Sequence, residues 1–102
     1  MNSVSKFVSQ DGKQVRISIN GRFDFALHQD FRSAYRDTPG TGVEYRVNLS
    51  NTQYMDSSAL GMLLLLREHA GNDKTRVVIE APSEPVRKLL EIANFQRIFA
   101  ME

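Results

Sequence analysis

Three consecutive residues, Asp56, Ser57 and Ser58, form the part of the sequence best suited to chemistry. They precede the apolar run 59–66, which predicts a buried helix that begins at the serines. Any of the three side chains can cap that helix, because a short oxygen-bearing side chain accepts from the free N–H groups of the first turn. A serine at a helix start is also accessible to a kinase, and the helix dipole would stabilise its phosphate. The residues alone therefore leave two interpretations open, a structural cap and a phosphorylation site.

Other candidate constellations have less support from the sequence. His28 and His69 fall on different predicted helices, so both are interpreted as solvated surface residues and no metal site is expected. A hydrolase triad of Ser57 or Ser58 with a histidine and Asp24 lacks the Gly-x-Ser-x-Gly elbow that such a nucleophile uses. There is no glycine-rich phosphate loop, so no cofactor is expected. The sequence does not predict an enzyme.

Length and charge narrow the class of protein further. The chain has 102 residues, 41% of them hydrophobic, which fits one globular domain. Thirteen basic and 12 acidic side chains give a net charge of +1, which argues against a general nucleic-acid binder. There are no cysteines, no signal-peptide pattern, and the apolar run 62–66 is too short to span a bilayer. We expect a cytoplasmic protein without direct contacts to nucleic acid or membrane.

The pattern of apolar residues predicts the elements that position the serines. Strands are predicted over 6–10, 15–20, 44–49 and 75–80, and the Asp11-Gly12 pair predicts a hairpin between the first two. Helices are predicted over 25–36, over 58–70 and after Ser83, while the polar segment 50–56 is predicted to be a loop. This order predicts an α/β fold in which the strand-helix-strand crossovers give partly parallel pairing.

Four segments resemble one known family. Residues 54–61, Tyr-Met-Asp-Ser-Ser-Ala-Leu-Gly, resemble the signature of STAS domains of the anti-sigma factor antagonist class. Segments 19–24, 47–50 and 82–90, the last followed by Phe95, resemble other marks of that family at matching places. The resemblance implies one STAS-type α/β domain over residues 1–102. Its fold would have a mixed four- to five-stranded sheet with helices packed mainly on one face.

The same resemblance implies a bacterial phosphoprotein that switches partners and so regulates transcription. Unmodified, it would bind an anti-sigma factor that is often itself the serine kinase. Phosphorylated, it would release that partner, and a PP2C-type serine phosphatase would restore it. Carried over by position, Ser57 matches the phosphoacceptor and Ser58 the adjacent, unmodified serine. Asp24 and Asp56 match acidic positions beside the site, and the protein is expected to be a monomer when free.

Departures from the family pattern concern the expected partner contacts. Ala59 stands where many members have glycine, and Phe25 and Ala26 stand where some have polar residues. The candidate contacts are Phe23, Phe25, Ala59 and Met62, with core packing as the alternative for the phenylalanines. A second function hypothesis is a STAS domain that serves as a scaffolding subunit of a signalling or transport complex without being phosphorylated.

Overall fold

The computed structural model describes residues 2–102, which form six strands, three α-helices and two short 3-10 turns. The strands are β1 (Ser3–Val8), β2 (Gln14–Phe23), β3 (Glu44–Asn48), β4 (Thr52–Met55), β5 (Val77–Glu80) and β6 (Ala100–Met101). The helices are α1 (His28–Ser33), α2 (Ser57–His69) and α3 (Glu84–Ile92), and the 3-10 turns are Phe25–Leu27 and Phe95–Arg97.

The first two strands form the predicted hairpin. β1 and β2 pair antiparallel from Ser3 opposite Asn20 to Val8 opposite Val15. Gly12 has a φ of 72° in the turn between them, a conformation that residues with a Cβ rarely adopt. The first strand begins at Ser3 rather than at the predicted position 6, because its early residues are held by this long antiparallel register.

The other strands pair in parallel around β2 and β3. The sheet runs in the order β1-β2-β3-β5-β6, while β4 pairs with the far end of the long strand β2. β2 therefore contacts β3 along its first half and β4 along its second half. Pairing with β3 ends at Ser18, and the β2–β4 register shifts between Gly21 and Arg22. Parallel pairing brings the carboxyl ends of β2 and β4 to the same edge.

One face of the sheet carries the hydrophobic core. Val15, Ile17 and Ile19 alternate with part-exposed residues along β2, and all three are at most 1% exposed. They belong to one cluster with buried residues from every helix, namely Phe31 of α1, Leu63 and Leu66 of α2, and Val86 and Leu90 of α3. The helices therefore pack on one face, as predicted, and the α/β class is confirmed.

The sheet has six strands rather than the predicted four to five. β4 lies in the segment 50–56 that was predicted to be a loop. Its burial does not alternate, since Thr52 and Met55 are buried and the two residues between them are exposed. Long-range pairing with β2 forms this strand, together with a 2.9 Å hydrogen bond from the Thr52 hydroxyl to the carbonyl of Ile19.

Candidate functional site

The site begins where two parallel strands end side by side. The register of β2 and β4 pairs Phe23 with Met55, and each strand stops at that residue. Asp24 and Asp56 therefore follow at neighbouring strand ends. Both have extended backbone, with φ of −135° and −122°, and both cap a helical segment through the side chain. The same turn from strand to helix is thus built twice at one edge of the sheet.

Asp56 is the N-cap of α2. Its Oδ1 accepts a hydrogen bond from the backbone N–H of Ala59 at 3.2 Å and one from the Ser58 hydroxyl at 2.6 Å. The bond from Ser58 is the main cause that lowers the pKa of Asp56 below its ordinary value of 3.8, with backbone N–H groups adding to it. Asp56 is therefore ionised at neutral pH, and its role as helix cap is confirmed.

The two serines have different environments. Ser58 is part-buried and its hydroxyl is bound to Asp56. Ser57 is exposed and is the first residue of α2, and no hydrogen bond to its hydroxyl forms within residues 2–102. The first N–H groups of α2 and the positive end of its dipole lie beside it. The geometry can hold an anion at Ser57.

No base is placed to activate Ser57 as a nucleophile within the described chain. His28 stacks on Phe25, with ring centroids 5.0 Å apart. His69 Nε2 lies 2.9 Å from the carbonyl oxygen of Thr38, at the far end of α2. The prediction that both histidines are solvated surface residues is wrong, because both are part-buried, and His69 packs against two tyrosine rings.

Asp24 is held by its own neighbours. Its Oδ1 accepts from the backbone N–H of Ala26 at 3.0 Å, and its Oδ2 lies 3.5 Å from Nε of Arg22. The Arg22 guanidinium in turn lies 4.1 Å from the centre of the Tyr54 ring, a cation–π contact between strand-paired residues. Sequence reasoning missed Arg22 and Tyr54, because their contact depends on a strand that the local pattern did not predict.

Comparisons with known proteins agree with this geometry. A family model described as "Mlab, STAS domain" matches residues 7–101. The chain belongs to the STAS-domain family. This STAS domain is also 48% identical to a STAS-domain containing protein of Pseudomonas aeruginosa strain UCBPP-PA14, over 95% of this chain and 96% of that protein.

Solved structures show the same fold. An anti-sigma factor antagonist from Mycobacterium paratuberculosis has a TM-score of 0.73 at 20% identity, over 97% of this chain and 85% of that one. The anti-sigma factor antagonist SpoIIAA in its unphosphorylated form has a TM-score of 0.69 at 20% identity, over 100% and 87% of the two chains. The phosphorylated form of the Bacillus SpoIIAA has a TM-score of 0.64 at 18% identity, over 100% and 91%. The STAS domain thus has the fold of anti-sigma factor antagonists.

Burial corrects the predicted set of partner contacts in the STAS domain. Phe23, Ala59 and Met62 are 0%, 0% and 4% exposed, so they pack in the core and offer no surface to a partner. Phe23 lies against the ring of Phe31, with centroids 5.2 Å apart. Phe25 is different, because 67% of it is exposed beside the capped strand end. It is the one member of that set that a partner can touch.

Residues 2–102 contain neither a metal-binding cluster nor a membrane-spanning helix. No group of three or more His, Asp or Glu side chains in the STAS domain is arranged to hold a metal ion. Within the same residues, no helix has the length and apolar character to cross a membrane.

Proposed function

We propose that this STAS domain is an anti-sigma factor antagonist whose partner binding is switched by phosphorylation of Ser57. Unmodified, it binds an anti-sigma factor that is also a serine kinase, and it releases that partner when phosphorylated. A PP2C-type serine phosphatase restores the unmodified form. The domain thereby regulates transcription in the cytoplasm of a bacterium, and it is a monomer when free.

One observation carries this proposal, the difference between the two serines. The exposed Ser57 hydroxyl begins α2, whereas the Ser58 hydroxyl is bound to Asp56 at 2.6 Å. A kinase therefore meets Ser57 first. The position agrees with the phosphoacceptor that the family resemblance implies.

The helix start explains how a phosphate switches binding without unfolding the domain. A phosphoserine adds about −1.5 to −2 charges at neutral pH, and the free N–H groups and dipole of the helix accommodate it. The added charge lies beside the ionised carboxylate of Asp56, so the surface becomes strongly acidic while the core stays intact. A partner that fits the neutral hydroxyl is displaced by repulsion and bulk.

The comparisons support the same function at the level of fold. SpoIIAA, named an anti-sigma factor antagonist, has been solved in unphosphorylated and phosphorylated forms, and both match this chain over its full length. That SpoIIAA has a phosphorylated form with this fold supports a phosphate at the corresponding site here.

A pair of variants tests the switch. We expect Ser57→Ala to retain the partner and Ser57→Asp to lose at least about tenfold in affinity, measured by pull-down with mass spectrometry and then by calorimetry. Ser58→Ala is the matched control and should still be phosphorylated by the captured kinase with ATP, whereas Ser57→Ala should not. Equal binding by Ser57→Ala and Ser57→Asp would instead favour an unphosphorylated scaffolding subunit. Phosphorylation of Ser57→Ala to the level of the unchanged protein would reject Ser57 as the acceptor.

A further inference from the structure

The solvent-facing side of α2 is unusually apolar. The exposed residues of α2 begin at Ser57 and recur at helical spacing toward its C-terminal end. The opposite side of the helix is buried in the core. Leu64 and Leu65 are 42% and 50% exposed. The exposed set, called here the α2 face, consists of Ser57, Gly61, Leu64, Leu65 and Glu68. Glu68 at its C-terminal end is its one charged residue, although the exposed side of a helix is ordinarily charged or polar along its length.

Gly61 has no role inside the domain. A Cβ added at this position would have no atom within 4 Å, and its φ is not in the left-handed region. Glycine in a helix interior is unfavourable relative to alanine, because it loses more backbone entropy on folding. A glycine on an exposed helix face allows another backbone to approach closely.

A basic flank borders the α2 face. A shallow groove of about 520 Å³ separates α1 from α2 beside Leu65. Arg32 and Arg36 line it, and Glu68 is the carboxylate that lines it with them. Asp37 pairs with Arg36 at 3.7 Å, but both side chains are more than half exposed, so this pair is weak. His28 and His69 also line the groove.

We propose that the α2 face and this basic flank together dock an acidic amphipathic helix of a partner protein. The apolar residues of that helix pack on Leu64 and Leu65, its backbone approaches Gly61, and its acidic residues face Arg32 and Arg36. An amphipathic helix binds by laying its apolar face on an apolar surface, and two helices pack with the side-chain ridges of one in the grooves of the other.

This docking proposal rests on the proposed function, and it explains why phosphorylation of Ser57 releases the partner. Ser57 is the first residue of the α2 face, so an acidic helix docked there ends beside the serine hydroxyl. A phosphate at Ser57 then repels the helix that Arg32 and Arg36 attract. Release follows without any change in the core.

A synthetic peptide tests the docking surface directly. The probe is an amphipathic peptide with leucines at i, i+3, i+4 and i+7 and glutamates on the flanks, titrated into the ¹⁵N-labelled domain. We expect chemical-shift changes confined to residues 57–68 and 28–36. The same peptide with lysine in place of every glutamate should bind at least about tenfold more weakly.

Glycine substitutions separate docking from stability. Gly61→Ala should raise the Tm by several degrees because it improves helix propensity, yet it should weaken peptide binding. Gly61→Leu and the pair Arg32→Glu with Arg36→Glu should each weaken binding at least tenfold. Ile92→Ala and Lys88→Glu, both at exposed positions of α3, are matched controls that should bind normally.

The docking surface would be overturned by no binding of the acidic peptide, by shift changes centred elsewhere, or by normal binding of Gly61→Leu. Preferential binding of the lysine peptide would also reject it. The Ser57→Asp variant keeps this inference distinct from the switch. If Ser57→Asp binds the peptide normally while Gly61→Leu does not, the docking surface stands and the phosphorylation switch fails.

Discussion

Ser58 donates its hydroxyl hydrogen to Oδ1 of Asp56 across 2.6 Å, and this bond fixes the first turn of α2. The same carboxylate oxygen accepts the N–H of Ala59. Ser58 is thereby used by the fold, whereas the hydroxyl of its neighbour Ser57 faces solvent. The division of roles between two adjacent serines follows from which of them the N-cap aspartate binds.

The pKa of Asp56 reports this bond. A hydrogen bond to the ionised carboxylate favours the charged form and lowers the pKa, so Ser58→Ala should move the pKa of Asp56 back toward 3.8. Carboxyl chemical shifts followed by NMR during an acid titration measure this. Ser57→Ala is the control and should leave the titration unchanged. An unchanged pKa in Ser58→Ala would show that the hydroxyl does not hold the carboxylate.

The sequence could predict the cap but not its neighbours. Asp56 is placed by a local pattern, an oxygen-bearing residue before an apolar helix. The position of Asp24 beside it depends on the pairing of Phe23 with Met55, 32 positions along the chain, and local spacing cannot supply that register. The family resemblance was needed to suggest Asp24. β4 escaped prediction for the same reason, because distant hydrogen bonds rather than an alternating pattern define it.

Acid should reduce the stability of the domain through Glu80, a carboxylate of β5. Burial alone would raise the pKa of this carboxylate, but hydrogen bonds from Arg46, Arg16 and Asn48 outweigh burial and lower the pKa from 4.5 to about 2. A lowered folded-state pKa gives stability that is complete above pH 4.5 and is lost as pH falls toward 2. The bonds join β5 to β2 and β3.

Glu80→Gln should therefore be less stable than the unchanged domain at pH 7. It should also lose less stability as the pH falls. The two should differ by up to about 3 kcal/mol in unfolding free energy at neutral pH, because each unit of pKa shift corresponds to about 1.4 kcal/mol. Urea unfolding at a series of pH values measures it. Glu84→Gln on the exposed first turn of α3 is the control. Parallel pH curves for Glu80→Gln and the unchanged domain would contradict the prediction.

Gly40 lies where the loop after α1 passes the end of α2. A Cβ at this position would lie 2.1 Å from the carbonyl oxygen of His69, so alanine must push the loop away from the helix. We expect Gly40→Ala to reduce the free energy of unfolding by about 1–3 kcal/mol, as overpacking does. Thr41→Ala, at the next and exposed position, should change it by less than about 0.5 kcal/mol. Equal stability of the two variants in urea would show that the loop adjusts freely.

Phe23 and Phe25 are two residues apart, but truncation should lower the stability of the domain at Phe23 and partner binding at Phe25. Phe23 is fully buried against Phe31, so Phe23→Ala should cost about 3–5 kcal/mol of unfolding free energy. Phe25 is 67% exposed, so Phe25→Ala should cost less than about 1 kcal/mol. Partner binding should fall in Phe25→Ala. This exposed ring follows the end of β2, which lies beside the end of β4 that leads to Ser57.

Phe23→Leu keeps most of the buried volume and serves if Phe23→Ala does not fold. It should be less stable in urea than the unchanged domain and yet should bind the partner normally once folded. Phe23 and Phe25 flank Asp24 at the end of β2. The stability measurement therefore tests the buried side of this strand end, and the binding measurement tests its exposed side. A large stability loss in Phe25→Ala, or normal partner binding by that variant, would remove Phe25 from the contact surface. Weak binding by a folded Phe23→Leu would instead show that the core beneath the site shapes the surface that the partner meets.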